Sequence, residues 1–348
     1  MVLQQRINAL GELGSRLESF VKPYLQWEDP LSDWLEEGDP VLLEACRRSS
    51  QENGWFVPSN IVHALESWSD QLRAIKLEQW MSSYPEGNTQ KTVGLVMAGN
   101  IPLVGFHDLL SVMITGHRAV VKLSSSDKYL LPALVSVLGK ISPELAKSVR
   151  FTEDKLQGFD AVIATGSNNT ARYFEYYFGK YPHIIRRNRN GVAVMDGTET
   201  EEQLRQLADD IFRYFGLGCR NVSKVFVPQH YSWDAFFSAM YRWKDLINNH
   251  KYINNYDYNK AVYLMSDVEL LENGFMLLKE DSGYSSPIST VYFEHYHDEA
   301  KLLQRLEVDK AQIQCVIGKE HIPFGHAQRP QLADYADGVD TVDFLLKL

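Results

Sequence analysis

Cys219 is the residue whose setting most suggests chemistry. It follows Gly216-Leu217-Gly218 and precedes Arg220, Asn221 and the apolar run KVFVP. Glycines let a ligand approach the backbone closely. A neighbouring guanidinium favours the thiolate, the nucleophilic form of a group whose free pKa is about 8.5. On local sequence alone, a buried and inert cysteine fits these neighbours as well. The other two, Cys46 and Cys315, lie far away, and there is no CxxC. Neither a disulfide framework nor a zinc site is indicated. Cys46 falls on an apolar helical face and reads as a small core residue.

Three further places carry polar groups at the ends of apolar runs. Asn100 sits in GNIP, directly after TVGLVMA, where a side-chain amide can donate to a developing oxyanion or simply make a turn with Gly99. Lys122 ends AVVKL and leads into Ser124 and Ser125, where an ammonium meets a ribose, a phosphate or plain solvent. Gly166 and Ser167 follow FDAVIAT and open a helix, a geometry that presents backbone N–H groups to a pyrophosphate. ATGSNN is not GxGxxG, and that fingerprint does not occur in the chain. The histidines are scattered without HExxH, so no metal site is expected. The serine runs Ser124–Ser126 and Ser285–Ser286 lack the GxSxG setting of a hydrolase.

These residues need elements to hold them. TVGLVMA, AVVKL and FDAVIAT are continuous apolar strands alternating with helices at Leu103–Ile114 and Leu130–Leu138, which predicts a parallel sheet covered on both faces. Before them, residues 1–83 carry helical spacing. Leu3, Ile7, Leu10, Leu17 and Val21 form one face; Trp34, Leu35, Leu42, Leu43 and Cys46 form a second. Ser59 is placed to cap a third helix bearing Ile61, Leu65, Trp68, Leu72 and Ile75. This segment either packs on the rest of the chain, the preferred reading, or binds a partner. YPEGN, residues 84–88, marks a turn. After GVAVMDG, Thr200 and Gln203 have capping-box spacing ahead of an apolar face running to Phe215. Further helices are expected at Trp233–Ile247 and Glu299–Leu306, with strands at KVFVP, AVYLM from Ala261, STVYF from Ser289 and QCVIG from Gln314.

Composition sets the limits. With 348 residues, 45% hydrophobic and 23% charged, the chain is an ordinary globular protein of about two domains. A formal charge of −10 argues against nucleic acid, so any phosphate must be held locally. No run of roughly 18 apolar residues occurs, so no membrane span is expected. The amino-terminal sequence does not read as a signal peptide, and cytoplasmic localisation is expected.

It is the order of these pieces that resembles a family. Strand–GN-x-P, strand–K-x-S, strand–TGS and G-x-G-C before a strand resemble the aldehyde-dehydrogenase superfamily over roughly residues 90–348. The end of the chain, PFGHAQRPQLADYADGVDTVDFLL, is similar to that of the fatty acyl-CoA reductases of the bacterial luminescence type. The resemblance implies an α/β, aldehyde-dehydrogenase-like fold with an N-terminal helical segment over 1–83. It implies a Rossmann-like dinucleotide-binding domain over 84–195, completed by part of 320–348, and a catalytic domain over 196–320. It implies Cys219 as nucleophile and Asn100 as oxyanion donor. Lys122, Ser124, Ser125, Gly166 and Ser167 would hold the cofactor, with Glu280 matching more loosely as a ribose ligand.

The resemblance also implies an activity, the NADPH-dependent reduction of an acyl-CoA to an aldehyde through a thioester, with CoA as leaving group. Hydrolytic members carry a glutamate that activates water; here the corresponding segment is IIRRNRNGVAVMDG, which has none. Many NAD-dependent members place an acidic residue three positions after the lysine; here it is Ser125, which favours NADPH over NADH. An acyl-phosphate reductase and a non-reducing acyl-transfer subunit are the rivals. A homo-oligomer, with TVDFLLKL adding a strand to a neighbour or packing at home, stays open, as does an acyl-activating or carrier-protein partner.

Overall fold

The computed structural model describes residues 1–26, 34–35, 38–85, 87 and 89–348. The expected turn at 84–88 therefore lies partly outside the described residues. Contacts divide the chain into two units, one of residues 1–187 with 331–348 and one of residues 188–330.

The first unit begins with four helices: α1 (Leu3–Val21), α2 (Pro40–Glu52), α3 (Pro58–Gln71) and α4 (Ala74–Met81). α1 buries Ile7, Leu10, Leu17 and Val21 of the expected face, with Leu13 beside them, while Leu3 is half-buried. Pro58 takes the first position of α3, so Ser59 lies inside the helix rather than capping it. Ile75 belongs to α4, not α3, and is 60% exposed, because the chain changes axis at Leu72–Arg73. The helices pack on α5 (Phe106–Ile114) and α6 (Leu130–Ile141), so this segment shares the unit's core. Cys46 is buried there, and burial pushes its thiol well above the ordinary value, as suits a core residue.

Five parallel strands follow: β1 (Thr92–Val96), β2 (Arg118–Lys122), β3 (Val149–Phe151), β4 (Ala161–Thr165) and β5 (His183–Arg186), in the order β3-β2-β1-β4-β5. α7 (Pro143–Ala146) precedes β3, and α8 (Asn168–Phe178) joins β4 to β5. The middle residues of β1, β2 and β4 are buried, which is why these strands read as unbroken apolar runs.

The end of the chain returns to this unit. Its closing helix, Thr341–Leu346, buries Val342 and Leu345, so TVDFLLKL packs at home as a helix. His117 accepts from Lys91 N through Nδ1 and meets the Leu345 carbonyl through Nε2 at 3.0 Å. His107 Nε2 lies 2.9 Å from the Leu332 carbonyl. Arg186, buried against Asp108, also donates to Thr341 Oγ1 at 2.9 Å. The histidines thus fasten the carboxyl-terminal segment.

The second unit is a six-stranded sheet, β11-β6-β7-β10-β9-β8. Its strands are β6 (Asn190–Val194), β7 (Val222–Pro228), β8 (Leu270–Glu272), β9 (Leu277–Glu280), β10 (Thr290–Tyr296) and β11 (Ile313–Ile317), all parallel to their neighbours except β8. Its helices are α9 (Glu201–Phe212), α10 (Asp234–Met240), α11 (His250–Met265) and α12 (Glu299–Val308). The Thr200–Gln203 capping box starts α9 as its spacing predicts. The helix expected over Trp233–Ile247 is α10 followed by a 3₁₀ segment. AVYLM is not a strand. It ends α11, whose N-cap Asn249 accepts from the N–H groups of Lys251 and Tyr252, and local β-preference yields to that capped helix.

Candidate active site

The first sheet sets where a ligand can sit. From β1 the chain moves outward to β2 and β3, and then to β4 and β5 on the opposite side, so the order reverses between β1 and β4. A crevice opens outside the carboxyl ends of the strands at such a switch point. Lys122 is the last residue of β2; Ser124 and Ser125 lie in the turn after it; Asn100 lies four residues past β1; Gly166 and Ser167 follow β4. Val96 pairs with both Lys122 and Ala164. Six of the eight expected residues thus come to one edge of one sheet, on three neighbouring strands about 4.8 Å apart.

Each of these positions has a local reason. Ser167 caps α8, its Oγ accepting from Thr170 N at 3.3 Å. A Cβ on Gly166 would stand 2.9 Å from the Phe174 ring and 3.1 Å from Thr170, so the approach of strand to helix demands glycine. The exposed start of α8 is the kind of helix terminus at which backbone N–H groups meet a phosphate. Lys122 Nζ donates to the Asp154 carbonyl at 3.2 Å. Ser125 is exposed and presents a neutral hydroxyl.

The turn bearing Asn100 is fixed from the neighbouring strand. A Cβ on Gly99 would fall 2.5 Å from Ser124 Oγ, so the two turns are in tight contact. Leu103 holds a left-handed backbone at φ 59°, and its N–H donates to Asp127 Oδ2 at 2.9 Å. That turn displaces the start of α5 from the expected Leu103 to Phe106. Asp127 is buried, and burial pushes its carboxyl up to about 6. Sequence reasoning stopped at the serines and missed it; the signal was an aspartate closing K-L-S-S-S-D.

Cys219 lies in the second unit, in a turn between α9 and β7, and is half-buried whereas Cys46 and Cys315 are buried. The chain leaves α9 through Tyr214 and Phe215, both left-handed at φ 56° and 59°. Asn221 then holds the turn. Its Oδ1 accepts from Gly218 N at 2.8 Å, and its Nδ2 donates to the carbonyls of Asp210, Ile211 and Arg213 at 3.0, 3.1 and 2.8 Å. The carbonyls at the end of α9 thereby find donors. Arg220 turns to the Ala327 carbonyl, with Nε 2.6 Å away, so it is anchored to the backbone.

Asp210 completes the support. Fully buried, it accepts from Gly325 N at 2.7 Å and Ala327 N at 2.9 Å. Burial outweighs those two donors and pushes its carboxyl up to about 7. The PFGHAQ segment is thus the backing of the cysteine turn. Neither Asp210 nor Asn221 was expected to matter, although an aspartate inside an apolar helical face was the available signal.

Glu280 stands apart from the cysteine turn. It ends β9, is exposed, and is two strands from β7, level with Val225 through Phe293 of β10. Cys219 instead precedes the first residue of β7, so the two are not brought to the same strand end. In the segment IIRRNRNGVAVMDG the arginines serve the fold. Arg186 pairs with Asp108, Arg187 with Glu175, and Arg189 donates to the Lys310 carbonyl. Among the described residues no His, Cys, Asp or Glu group could hold a metal ion, and no helix is long and apolar enough to cross a membrane.

Known proteins share both sequence and fold with this chain. The sequence model of the acyl-CoA reductase (LuxC) family matches residues 50–240, just over half of the chain. A long-chain acyl-protein thioester reductase of Vibrio harveyi is 20% identical over 291 residues, covering 74% of this chain and 58% of that protein. A second such reductase, from Photobacterium leiognathi, is 23% identical over 239 residues, covering 63% and 47%. The chain thus spans only about half of the length of these curated relatives. Among solved structures, aldehyde dehydrogenase 21 of Physcomitrella patens, in complex with succinate, covers all of this chain and 84% of its own at TM-score 0.65 and 12% identity. An indole-3-acetaldehyde dehydrogenase of P. syringae in complex with NAD+ covers 87% and 69%, at TM-score 0.60 and 12% identity. The fold is aldehyde-dehydrogenase-like.

Proposed function

The chain belongs to the acyl-CoA reductase (LuxC) family, and from that premise we propose that it reduces an acyl thioester to the aldehyde, with Cys219 carrying the acyl group. The observation that carries this reading is the stapled turn. It leaves one half-buried thiol in a glycine-rich loop of fixed backbone, while the other two thiols are buried. The Cys219 thiolate attacks the thioester carbonyl, the donor thiol leaves, and the enzyme becomes an S-acyl protein. Asn100 is assigned as the donor to the developing oxyanion from its place in the strand–GNIP turn. The segment of residues 184–197 has no glutamate to activate water, and its one carboxylate, Asp196, is paired with Lys319 at 2.6 Å, so the acyl-enzyme is not drained to the acid.

The carboxyl edge of the first sheet fits a dinucleotide. Gly166 and Ser167 would meet its pyrophosphate, and Lys122, Ser124 and Ser125 its adenosine ribose. The hydride is the bound nicotinamide's contribution. The neutral Ser125 suits a 2′-phosphate, so NADPH is proposed over NADH. One hydride and one proton release the aldehyde and return Cys219 as a thiol.

The donor thiol is the finer question. The family's description refers to acyl-CoA, whereas the relatives' names refer to acyl-protein; an acylated carrier or acyl-transferring protein is the second reading. Aldehyde formation from matched acyl-CoA, S-acyl-protein and acyl phosphate, with NADPH and with NADH, tests the reading. Aldehyde equal to NADPH consumed, from either thioester, is the expected result. Turnover of acyl phosphate alone would replace the thioester reading, and acyl transfer without reduction would make the chain a transferase.

A further inference from the structure

We propose that the cavity at the amino ends of β1, β2 and β3 binds a phosphate-bearing small molecule, at the edge of the sheet opposite the cofactor residues. The cavity measures about 720 Å³, within the usual range for small-molecule sites. Its walls carry four cations, Arg6, Arg118, Lys147 and Arg150, and one carboxylate, Glu144. Glu144 is already paired with the chain's amino group at 3.3 Å.

Three separate elements bring these cations together. Arg118 is the first residue of β2. Arg150 lies in β3 opposite Val120, so the two-residue alternation of strands puts it on the same face as Arg118. Lys147 follows α7. Arg6 is held in place from α1, its Nε donating to the Ile114 carbonyl at 2.8 Å.

Solvated surface cations are the plain alternative, and two observations weigh against it. The chain is acidic, at −10, yet this cavity is locally basic. Elsewhere exposed cations pair with carboxylates one helical turn away, as Arg16 does with Glu12, Arg48 with Glu44 and Arg205 with Glu201. Among the described residues, no hydrogen bond or ion pair engages the side chains of Arg118, Lys147 or Arg150. Two guanidinium forks and an ammonium around one hollow match the oxygens of a phosphate or diphosphate. Four residue steps along β2 separate Arg118 from Lys122 by about 13 Å, so one phosphate cannot serve both edges.

Calorimetric titration of the full chain with inorganic pyrophosphate, and in parallel with AMP, tests the site. Saturable binding of either is expected, weakened about tenfold or more in Arg118→Gln/Arg150→Gln and weakened again by Lys147→Gln. Ser125→Glu, which puts a negative charge at the carboxyl edge, should leave unchanged the binding component that Arg118→Gln/Arg150→Gln removes. All these side chains are exposed, so the variants should fold, and a thermal melt checks this. Three results would overturn the proposal: no saturable binding of either probe at millimolar concentration, binding indifferent to the double variant, or loss of that component in Ser125→Glu.

Discussion

The turn that holds Asn100 and the turn that holds Cys219 are built on different principles. The first is one of several loops leaving the same end of parallel strands, and its position follows from strand order and from contact with the next loop. One buried carboxylate, Asp127, pins it by a single backbone N–H. The Cys219 turn is defined instead by specific side-chain bonds and by the segment behind it. It depends on Asn221, which makes four bonds to backbone groups, and on Asp210, which holds the segment behind. A topological edge tolerates the loss of one contact, because the strands still deliver their residues to the same place. A stapled turn does not, because removing the amide orphans several buried carbonyls at once.

Substitutions can break or sharpen that contrast. Asn100→Ala removes the assigned oxyanion donor from a turn whose place is set by strand order. It should lower kcat by about 100- to 1,000-fold, measured by steady-state NADPH oxidation, with a melt to confirm folding. Asn221→Ala attacks the staple itself. Loss of about 100-fold in kcat should accompany a fall in stability of about 3 kcal/mol, read from denaturant unfolding. If Asn221→Ala costs activity but no stability, the turn is not held as described. Asp127→Ala, on the topological side, should cost about 1–3 kcal/mol and leave Cys219 as reactive toward a thiol reagent as before.

The smallest effect concerns pH. Asp210 has its carboxyl raised from the ordinary 3.8 to about 7, so the fold binds its proton more tightly than the unfolded chain does. Its contribution is full below about pH 4 and declines as pH rises through about 7. The thermal midpoint of the native protein should therefore fall more steeply over that window than that of Asp210→Asn. Equal slopes would mean that the carboxyl titrates normally.

This difference in construction also explains what could be read from sequence. The three apolar strands, their small-residue turns and the residues following them are local patterns, and parallel topology alone gathers them at one edge. That Lys122, Ser124, Gly166 and Ser167 share one edge was legible for that reason. Asp127, Asp210 and Asn221 act through bonds to backbone groups that sequence does not display, and the partners of Asp210 lie more than one hundred residues away. AVYLM misled because a β-branched residue within an apolar run looks the same in a strand and at the end of a capped helix. Arg220 misled because its neighbour in sequence is the thiol, while its bonding partner is the Ala327 carbonyl.

The most direct test of the central claim is the intact mass of the protein after incubation with a medium-chain acyl-CoA, or with the matching S-acyl protein. The account predicts one acyl group on the native chain, none on Cys219→Ala, and loss of the adduct as aldehyde when NADPH is added. An adduct present equally on Cys219→Ala would contradict it.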